Sequence, residues 1–362
     1  MLKILHVVTR IDVGGISTLI YNYYQHLDKS KINFEIVSID TGHKQGYHDK
    51  FEALGIKIYY MPQNLIKRAL FFTDLLKSHK YDIVHSHIEV QSALYLLLAR
   101  LNGIKGRIAH AHMSIEHRGF KNTIMRFLLN RVTTLGFGAS ELSLQSVFGM
   151  DESKYRIVLN NAIDLDLFSF NNKIREEYRN DLGLSDKLVL GFVGRLTYQK
   201  NLKYLVKVFV QVAKVNKDTV LLIIGDGEDS GILLSEIEKH SLLDKLVWLK
   251  SRDDVHKLLN SMDVLLLPSR SEGLPLVLVE SQANSLQSVV SDRITQRVNI
   301  TPCIHYLPIN DKYLNSWTKL ITEIGHSYKR IRTDLMLTEQ HFNVKIEANN
   351  LMSLYHLSKS IN

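Results

Sequence analysis

Residues 188–201 read Leu-Val-Leu-Gly-Phe-Val-Gly-Arg-Leu-Thr-Tyr-Gln-Lys-Asn, and they restart a pattern that has already opened the chain. Val189 to Val193 is a short apolar run suited to a buried strand, and Gly194 permits a sharp exit from it. Downstream, a helix is expected from Leu202 to Val215 and a strand from Val220 to Gly225. A helix over Ile232 to His240, a strand over Leu246 to Leu249, a helix over Val255 to Asn260 and a strand over Val264 to Leu267 follow. The first half alternates in the same way. An apolar run from Met1 to Thr9 ends at Gly14-Gly15, and Ile16, Leu19, Ile20, Tyr23, Tyr24 and Leu27 follow at helical spacing. Strands are expected over Phe34 to Ile39, Ile56 to Tyr60 and Asp82 to His85, with helices over Asp49 to Leu54 and Ile66 to Ser78. Alternation of this kind predicts an α/β protein with a doubly wound parallel sheet in each half. Such sheets place ligands at strand carboxyl ends, here expected in a cleft between the halves.

The 362 residues suit two domains. The polar stretch Asn160 to Asp186 reads as the join, which sets an N-terminal domain at 1–165 and a C-terminal domain at 166–344. Residues 345–362 read as a closing helix. Hydrophobic residues make up 45% and charged residues 23%, as in a globular protein with sizeable cores. No apolar run reaches membrane-spanning length and no signal peptide is evident, so a cytoplasmic location is expected. The single Cys303 excludes an internal disulfide framework and a cysteine-based zinc site. The net charge is +8, of which residues 1–165 carry +6 (20 Lys/Arg against 14 Asp/Glu). A basic half suits an anionic partner such as a membrane surface, a polyprenyl phosphate or nucleic acid, or is simply solvated.

The chemistry concentrates at residues 270–282, Arg-Ser-Glu-Gly-Leu-Pro-Leu-Val-Leu-Val-Glu-Ser-Gln. Glu272 falls on a loop, a helix is expected to begin near Pro275, and Glu280 lies one to two turns in. The free N–H groups at such a start, with the helix dipole behind them, form an anion site between two carboxylates. A ligand with hydroxyls at both ends and a diphosphate in the middle fits, and a nucleotide sugar is such a ligand. An ordinary helix start with Val277, Leu278 and Val279 in the core is the plainer alternative.

Other residues weigh on the choice. Arg195 and Lys200 alone read as surface charges, but in a strand–loop–helix at a cleft they suit a diphosphate leaving group where no metal is present. Gly225-Asp226-Gly227 reads as a tight turn. Gly14-Gly15 lacks the spacing of a dinucleotide fingerprint and suits close approach of a phosphate or an acceptor. His110 and His112 end another strand and are read as pointing to opposite faces, with His112 preferred at the cleft. His85 and His87 repeat the spacing, and a zinc site would need both pairs to converge. Asp164-Leu165-Asp166 resembles a metal-binding Asp-x-Asp but falls in the join, where it reads as linker, so no metal ligand is assigned. Residues 117–131 combine Arg118, Lys121, Arg126 and Arg131 with Phe120, Ile124, Phe127 and Leu128. They read either as a basic amphipathic helix on an anionic bilayer or as a core helix with snorkelling cations.

Taken together, Gly14-Gly15, the His112 strand, Gly194-Arg195 with Lys200-Asn201, Gly225-Asp226-Gly227 and Glu272 to Glu280 occur in an order that resembles the retaining glycosyltransferases of family four over nearly the whole chain. The resemblance implies the GT-B fold of two Rossmann-like domains facing a central cleft, acceptor-binding first and nucleotide-sugar-binding second. Ser291 to Thr295 and the Tyr23 to Ser38 region are most similar to the bacterial exopolysaccharide and capsule branch. The resemblance implies that Arg195 and Lys200 bind the donor diphosphate, Glu272 the sugar hydroxyls and Glu280 the ribose. It implies that the amides of Gly273, Leu274 and Leu276 hold phosphate oxygens, with Gly194 and Gly15 near the diphosphate, His112 near the reacting sugar and Arg252 near the base. Lys250-Ser251 departs from the family, which often has a Gly there.

The expected activity is metal-independent transfer of a hexosyl unit with retention, from a UDP-sugar to a glycan such as a polyprenyl-diphosphate-linked oligosaccharide, without a cofactor. Peripheral contact with the inner face of the membrane goes with the basic N-terminal domain. A non-catalytic companion subunit of the same fold, or a nucleotide-sugar epimerase or phosphorylase, is the alternative. Nucleic acid is not expected as a partner, because the cations are scattered.

Overall fold

In the computed structural model the described residues are 1–12, 14–113, 119–150, 155–327 and 330–361. They form two compact units, one of residues 1–162 with 343–362 and one of residues 163–342. The division falls at 162/163, against 165/166 expected from the polar join, and the C-terminal helix Val344–Ser360 belongs to the first unit.

The first unit carries a seven-stranded, wholly parallel sheet. Its strands are β1 (Leu2–Val7), β2 (Ile32–Ile39), β3 (Lys57–Met61), β4 (Ile83–Ser86), β5 (Gly106–Ala111), β6 (Leu135–Gly138) and β7 (Arg156–Val158), in the order β3-β2-β1-β4-β5-β6-β7. One face, with Ile4, Phe34, Ile83, Ile108 and Phe137, packs on Leu19, Ile20, Tyr23 and Tyr24 of the Gly15–His26 helix and on Leu351 and Tyr355 of the Val344–Ser360 helix. The opposite face, with Leu5, Val37, Val84 and Ala109, packs on Phe72, Leu75, Leu96 and Leu129. Both faces are covered, which is why most of these strands read as continuous apolar runs.

The second unit carries a six-stranded parallel sheet of β8 (Leu188–Val193), β9 (Thr219–Ile224), β10 (Leu246–Trp248), β11 (Val264–Leu267), β12 (Gln287–Ser291) and β13 (Ile304–Leu307). The order is β10-β9-β8-β11-β12-β13. The Leu202–Val215 helix buries Leu205, Val208, Phe209 and Val212 in its core. In each sheet the strand order reverses once, between β1 and β4 and between β8 and β11, and ligands of open α/β sheets bind outside such points.

No described helix is long and apolar enough to cross a membrane. The basic stretch forms the Phe120–Val132 helix, which buries Leu129 and Val132 and leaves Phe120 82%, Ile124 50% and Phe127 64% exposed. His117 and Arg118 lie outside the described residues.

Candidate functional site

At the switch point of the second sheet, β8 hands over to Gly194 and Arg195, and β11 to the loop that carries Glu272. Two segments distant in sequence are tied together here by hydrogen bonds to backbone carbonyls. Arg270 N–H donates to the Gln199 carbonyl at 2.8 Å, and the Gln199 side chain donates to the Ser271 carbonyl at 2.7 Å. Buried Asn201 donates through its amide to the Pro268 carbonyl at 3.1 Å. The clamp brings Lys200 Nζ to 2.7 Å from Glu272 Oε1, with only 15% and 10% of the two side chains exposed. A Cβ on Gly194 would stand 3.3 Å from Lys200 Cε, so a glycine here lets the lysine lie across the strand exit. Arg195 is exposed at the same exit.

Beyond Glu272 the exposed Gly273 and half-buried Leu274 lead to Pro275, which caps the Leu276–Ala283 helix. No side chain caps this start and its first turn holds no acid, so the first-turn N–H groups keep their capacity for an anion. Glu280 lies in the second turn, half-buried, and burial pushes its carboxyl up to about 7. Its carboxyl group has no hydrogen bond or ion pair among the described residues, so both oxygens keep their capacity to accept.

The Gly225 turn has a structural cause. A Cβ on Gly225 would stand 2.0 Å from the Gly194 carbonyl oxygen, and one on Gly227 2.3 Å from that of Leu196. These glycines let the β9 exit nest against the β8 exit, where Leu196 N–H donates to the Asp226 carbonyl at 2.9 Å. Lys250 adopts the left-handed conformation, φ 55°, that a glycine would take without strain. Its carbonyl accepts from Gly225 N–H at 2.7 Å and its ammonium lies 3.3 Å over the Trp248 ring. Arg252 is committed to Asp254 through Nε at 2.9 Å and Nη2 at 2.7 Å, and the Tyr178 hydroxyl donates to the same carboxylate at 2.9 Å. Asp164 caps a short turn by accepting from the N–H groups of Asp166 and Leu167 at 3.1 and 3.3 Å, in keeping with a linker.

In the first unit Gly15 opens the Gly15–His26 helix, exposed, and its carbonyl accepts from the Asn161 side chain at 3.1 Å. His112 follows β5. The expectation that His110 and His112 face opposite sides is wrong: side chains alternate with a period of two, so positions i and i+2 share a face. The two rings stack with centroids 4.0 Å apart. His85 and His87 stack likewise at 4.3 Å, and His6 on β1 lies 5.0 Å from His85. Five imidazoles thus form one column across β1, β4 and β5 at the switch point. Burial pushes His6 and His112 down to about 3, and burial with neighbouring imidazoles lowers His85, His87 and His110 as well. All five are neutral near pH 7.

The two histidine pairs do converge. His6, His85 and His87, and separately His87, His110 and His112, bring ring nitrogens within 4.8 Å of one another. Stacked rings, however, hold their in-plane lone pairs side by side and aim them poorly at a common ion. The closest nitrogens, at 2.9 and 3.0 Å, sit at hydrogen-bond distance. Sequence reading gave no role to Glu89, which is buried at φ 50° in a turn after β4. Its Oε1 accepts from the N–H groups of His112 and Met113 at 2.9 and 3.2 Å, fixing the backbone that presents His112. Burial pushes its carboxyl up to about 6. The signal was Ile83 to Glu89 read as a whole, a strand ending in two histidines and an acid.

The model for Glycosyltransferase Family 4 matches residues 13–141, and that for Glycosyl transferases group 1 matches residues 174–302. The provisionally named glycosyltransferase EpsF of Bacillus subtilis (strain 168) is 30% identical over 312 residues, 82% of this chain and 81% of its own length. The UDP-Gal:alpha-D-GlcNAc-diphosphoundecaprenol alpha-1,3-galactosyltransferase of Escherichia coli is 26% identical over 317 residues, 80% of this chain and 79% of its own. Anabaena Alr3699/HepE, crystallised with UDP-glucose, shares the fold with a TM-score of 0.72 and 16% identity, over 100% of this chain and 98% of that one.

Proposed function

The chain belongs to family 4 of the glycosyltransferases, within the group of bacterial exopolysaccharide and capsule enzymes, and we propose that it is a retaining, metal-independent hexosyltransferase using a UDP-sugar. The observation that carries this reading is the Lys200–Glu272 pair beside an uncapped helix start, with Glu280, unpartnered among the described residues, one turn further on. An ammonium has three hydrogens. One serves Glu272, and the others are available to the oxygens of a diphosphate. Glu272 keeps Oε2 for sugar hydroxyls, and the amides of Gly273, Leu274 and Leu276 meet phosphate oxygens at the positive end of the helix. Glu280 accepts from the ribose hydroxyls. Arg195 adds the second cation, and the exposed Gly15 leaves its backbone open to a phosphate oxygen. Arg252, held by Asp254, borders the base.

In the reaction the bond from the anomeric carbon to the β-phosphate oxygen breaks as the acceptor oxygen bonds to the same carbon. The acceptor's proton passes to the departing phosphate on the same face. Charge developing on the diphosphate is neutralised by Lys200 and Arg195. Glu272 is engaged with Lys200, so both carboxylates act as binders rather than as the nucleophile and acid of a hydrolase.

The E. coli relative takes UDP-Gal, a diphosphoundecaprenol-linked acceptor, and makes an α-1,3 linkage, which supports a lipid-linked acceptor and retention. The exposed Phe120, Ile124 and Phe127 support docking of the first unit at the inner membrane face, with Lys121, Arg126 and Arg131 on the same helix. A nearby cavity of about 340 Å³ is lined by Leu65, Arg68, Leu94, Lys121 and Met125. The test is a reaction in excess chelator with a lipid-linked acceptor in anionic vesicles, followed by NMR of the new glycosidic bond. The expected product keeps the donor's anomeric configuration at an undiminished rate. An inverted product, or a rate abolished by chelator, contradicts the reading.

A further inference from the structure

Three of the five histidines are joined head to tail. His6 Nδ1 lies 3.0 Å from His87 Nε2, and His87 Nδ1 lies 2.9 Å from His112 Nε2. Burial keeps each ring neutral, so each carries one ring hydrogen. Each of the two bonds needs one hydrogen between its nitrogens, and only two arrangements satisfy both. In the first, every ring is protonated on Nδ1. His6 donates to His87, His87 donates to His112, and His112 keeps a free Nδ1–H. In the second, every ring is protonated on Nε2, and His112 is left with a bare Nδ1.

The far end of the chain distinguishes them. His6 Nε2 is buried and has no hydrogen-bond partner among the described residues. The first arrangement leaves a lone pair there, whereas the second buries an unpaired N–H, the rarer kind of defect in folded proteins. At the near end, His112 is the one residue of the five that is not fully buried. Its Nδ1 has no hydrogen-bond partner among the described residues, and Glu89 pins its backbone N–H at 2.9 Å.

We propose that His87 and His6 are positioning residues that lock His112 in a single tautomer, so that it offers a neutral Nδ1–H donor to an oxygen of the sugar undergoing transfer. The assignment rests on the reading of His112 as the contact with the reacting sugar. A ring that already donates through Nδ1 has no lone pair there for the acceptor's proton, which leaves the departing phosphate to take it. The column therefore serves orientation and not acid–base exchange. The same logic holds the imidazole of a Ser-His-Asp triad in one tautomer through its buried partner, with a neutral imidazole here in place of the carboxylate.

The experiment is long-range nitrogen–hydrogen NMR of the full chain labelled with ¹⁵N-histidine near pH 7, with His112 assigned from its loss in His112→Gln. Wild type is expected to show His112 wholly as the Nδ1–H form. In His6→Leu and His87→Leu the ring should shift towards the Nε2–H form, with kcat down about 10–100-fold, the usual range for second-layer partners, and donor KM within about threefold. His6→Asn puts an amide donor where Nδ1 stood, and should restore the Nδ1–H form and most of the rate. An Nε2–H form in wild type overturns the proposal. So does a tautomer unchanged in both leucine variants, or one transition-metal ion per chain bound at these histidines after purification. The wild-type spectrum requires no turnover, so it decides the tautomer even if no sugar is transferred, and a correct tautomer without transfer refutes the transferase reading alone.

Discussion

Lys200→Ala is expected to lower kcat for acceptor-dependent UDP release by about 10²–10³-fold, the cost of losing one donor to a developing anion. Arg195→Ala should lower it in the same direction but less, because Arg195 is exposed and water screens it. Lys200 has a second role that separates the two. Its ammonium is the partner of Glu272, whose side chain is only 10% exposed, so the alanine variant leaves a largely buried carboxylate without its cation. Lys200→Ala should therefore also unfold at lower denaturant concentration than wild type. The double variant Lys200→Ala, Glu272→Gln removes the stranded charge and should recover the midpoint while remaining inactive. Urea unfolding and steady-state kinetics on the single and double variants check both halves of this claim. Unchanged rates in both Arg195→Ala and Lys200→Ala would remove the leaving-group role altogether.

The other large effect is a pH dependence of donor binding through Glu280. Burial holds this carboxyl at about 7 in the free protein. Ribose hydroxyls donate to the carboxylate, so the bound state favours the ionised form and lowers its pKa. The sign follows: below about pH 7 the group must lose a proton before it can bind the donor. Affinity should therefore fall as pH drops through 7, by at most about tenfold per unit, and level off above it. A UDP-sugar is the right probe, because its doubly esterified diphosphate does not itself titrate in this range. Glu280→Gln should flatten the profile, and Glu280→Ala should weaken binding about 10–100-fold at pH 8, for hydrogen bonds to a charged acceptor worth about 1.5–3 kcal/mol. Calorimetry in buffers of different ionisation heat should register proton release near pH 6.5. An affinity that rises as pH falls would mean that the protonated carboxyl donates to the ligand.

The parallel architecture was legible because strands covered on both faces read as unbroken apolar runs, as in Val189 to Val193 and Val264 to Leu267. Other strands escaped for a physical reason. β6 is Leu-Gly-Phe-Gly, where close packing demands glycine, and β12 is Gln-Ser-Val-Val-Ser, whose buried Ser288 bonds its hydroxyl to that of Ser281. A Cβ on Gly136 would stand 2.7 Å from Phe148 Cζ, which erases the hydrophobic signal of a central strand. Spacing pointed to the Glu272–Glu280 segment as a unit. The ion pair that organises it joins Lys200 to Glu272 across 72 positions, and that pairing depends on strand order, which no local pattern encodes. The histidines show the opposite failure. Their spacing was in plain view, and a misapplied strand period hid the fact that all five share one face. Lys250 in the left-handed conformation shows how a departure from the family's glycine leaves the turn intact: its backbone takes the glycine's shape and its side chain lies on Trp248.

The most direct test of the central claim is calorimetric titration of the metal-free protein with a panel of UDP-sugars, on wild type and Glu280→Ala, with UDP release measured in the presence and absence of a lipid-linked sugar acceptor. The account predicts that one donor binds well, that the variant loses it, and that UDP appears only when acceptor is present. Failure of every nucleotide sugar to bind wild type would contradict it and leave a companion subunit that keeps the fold without the chemistry.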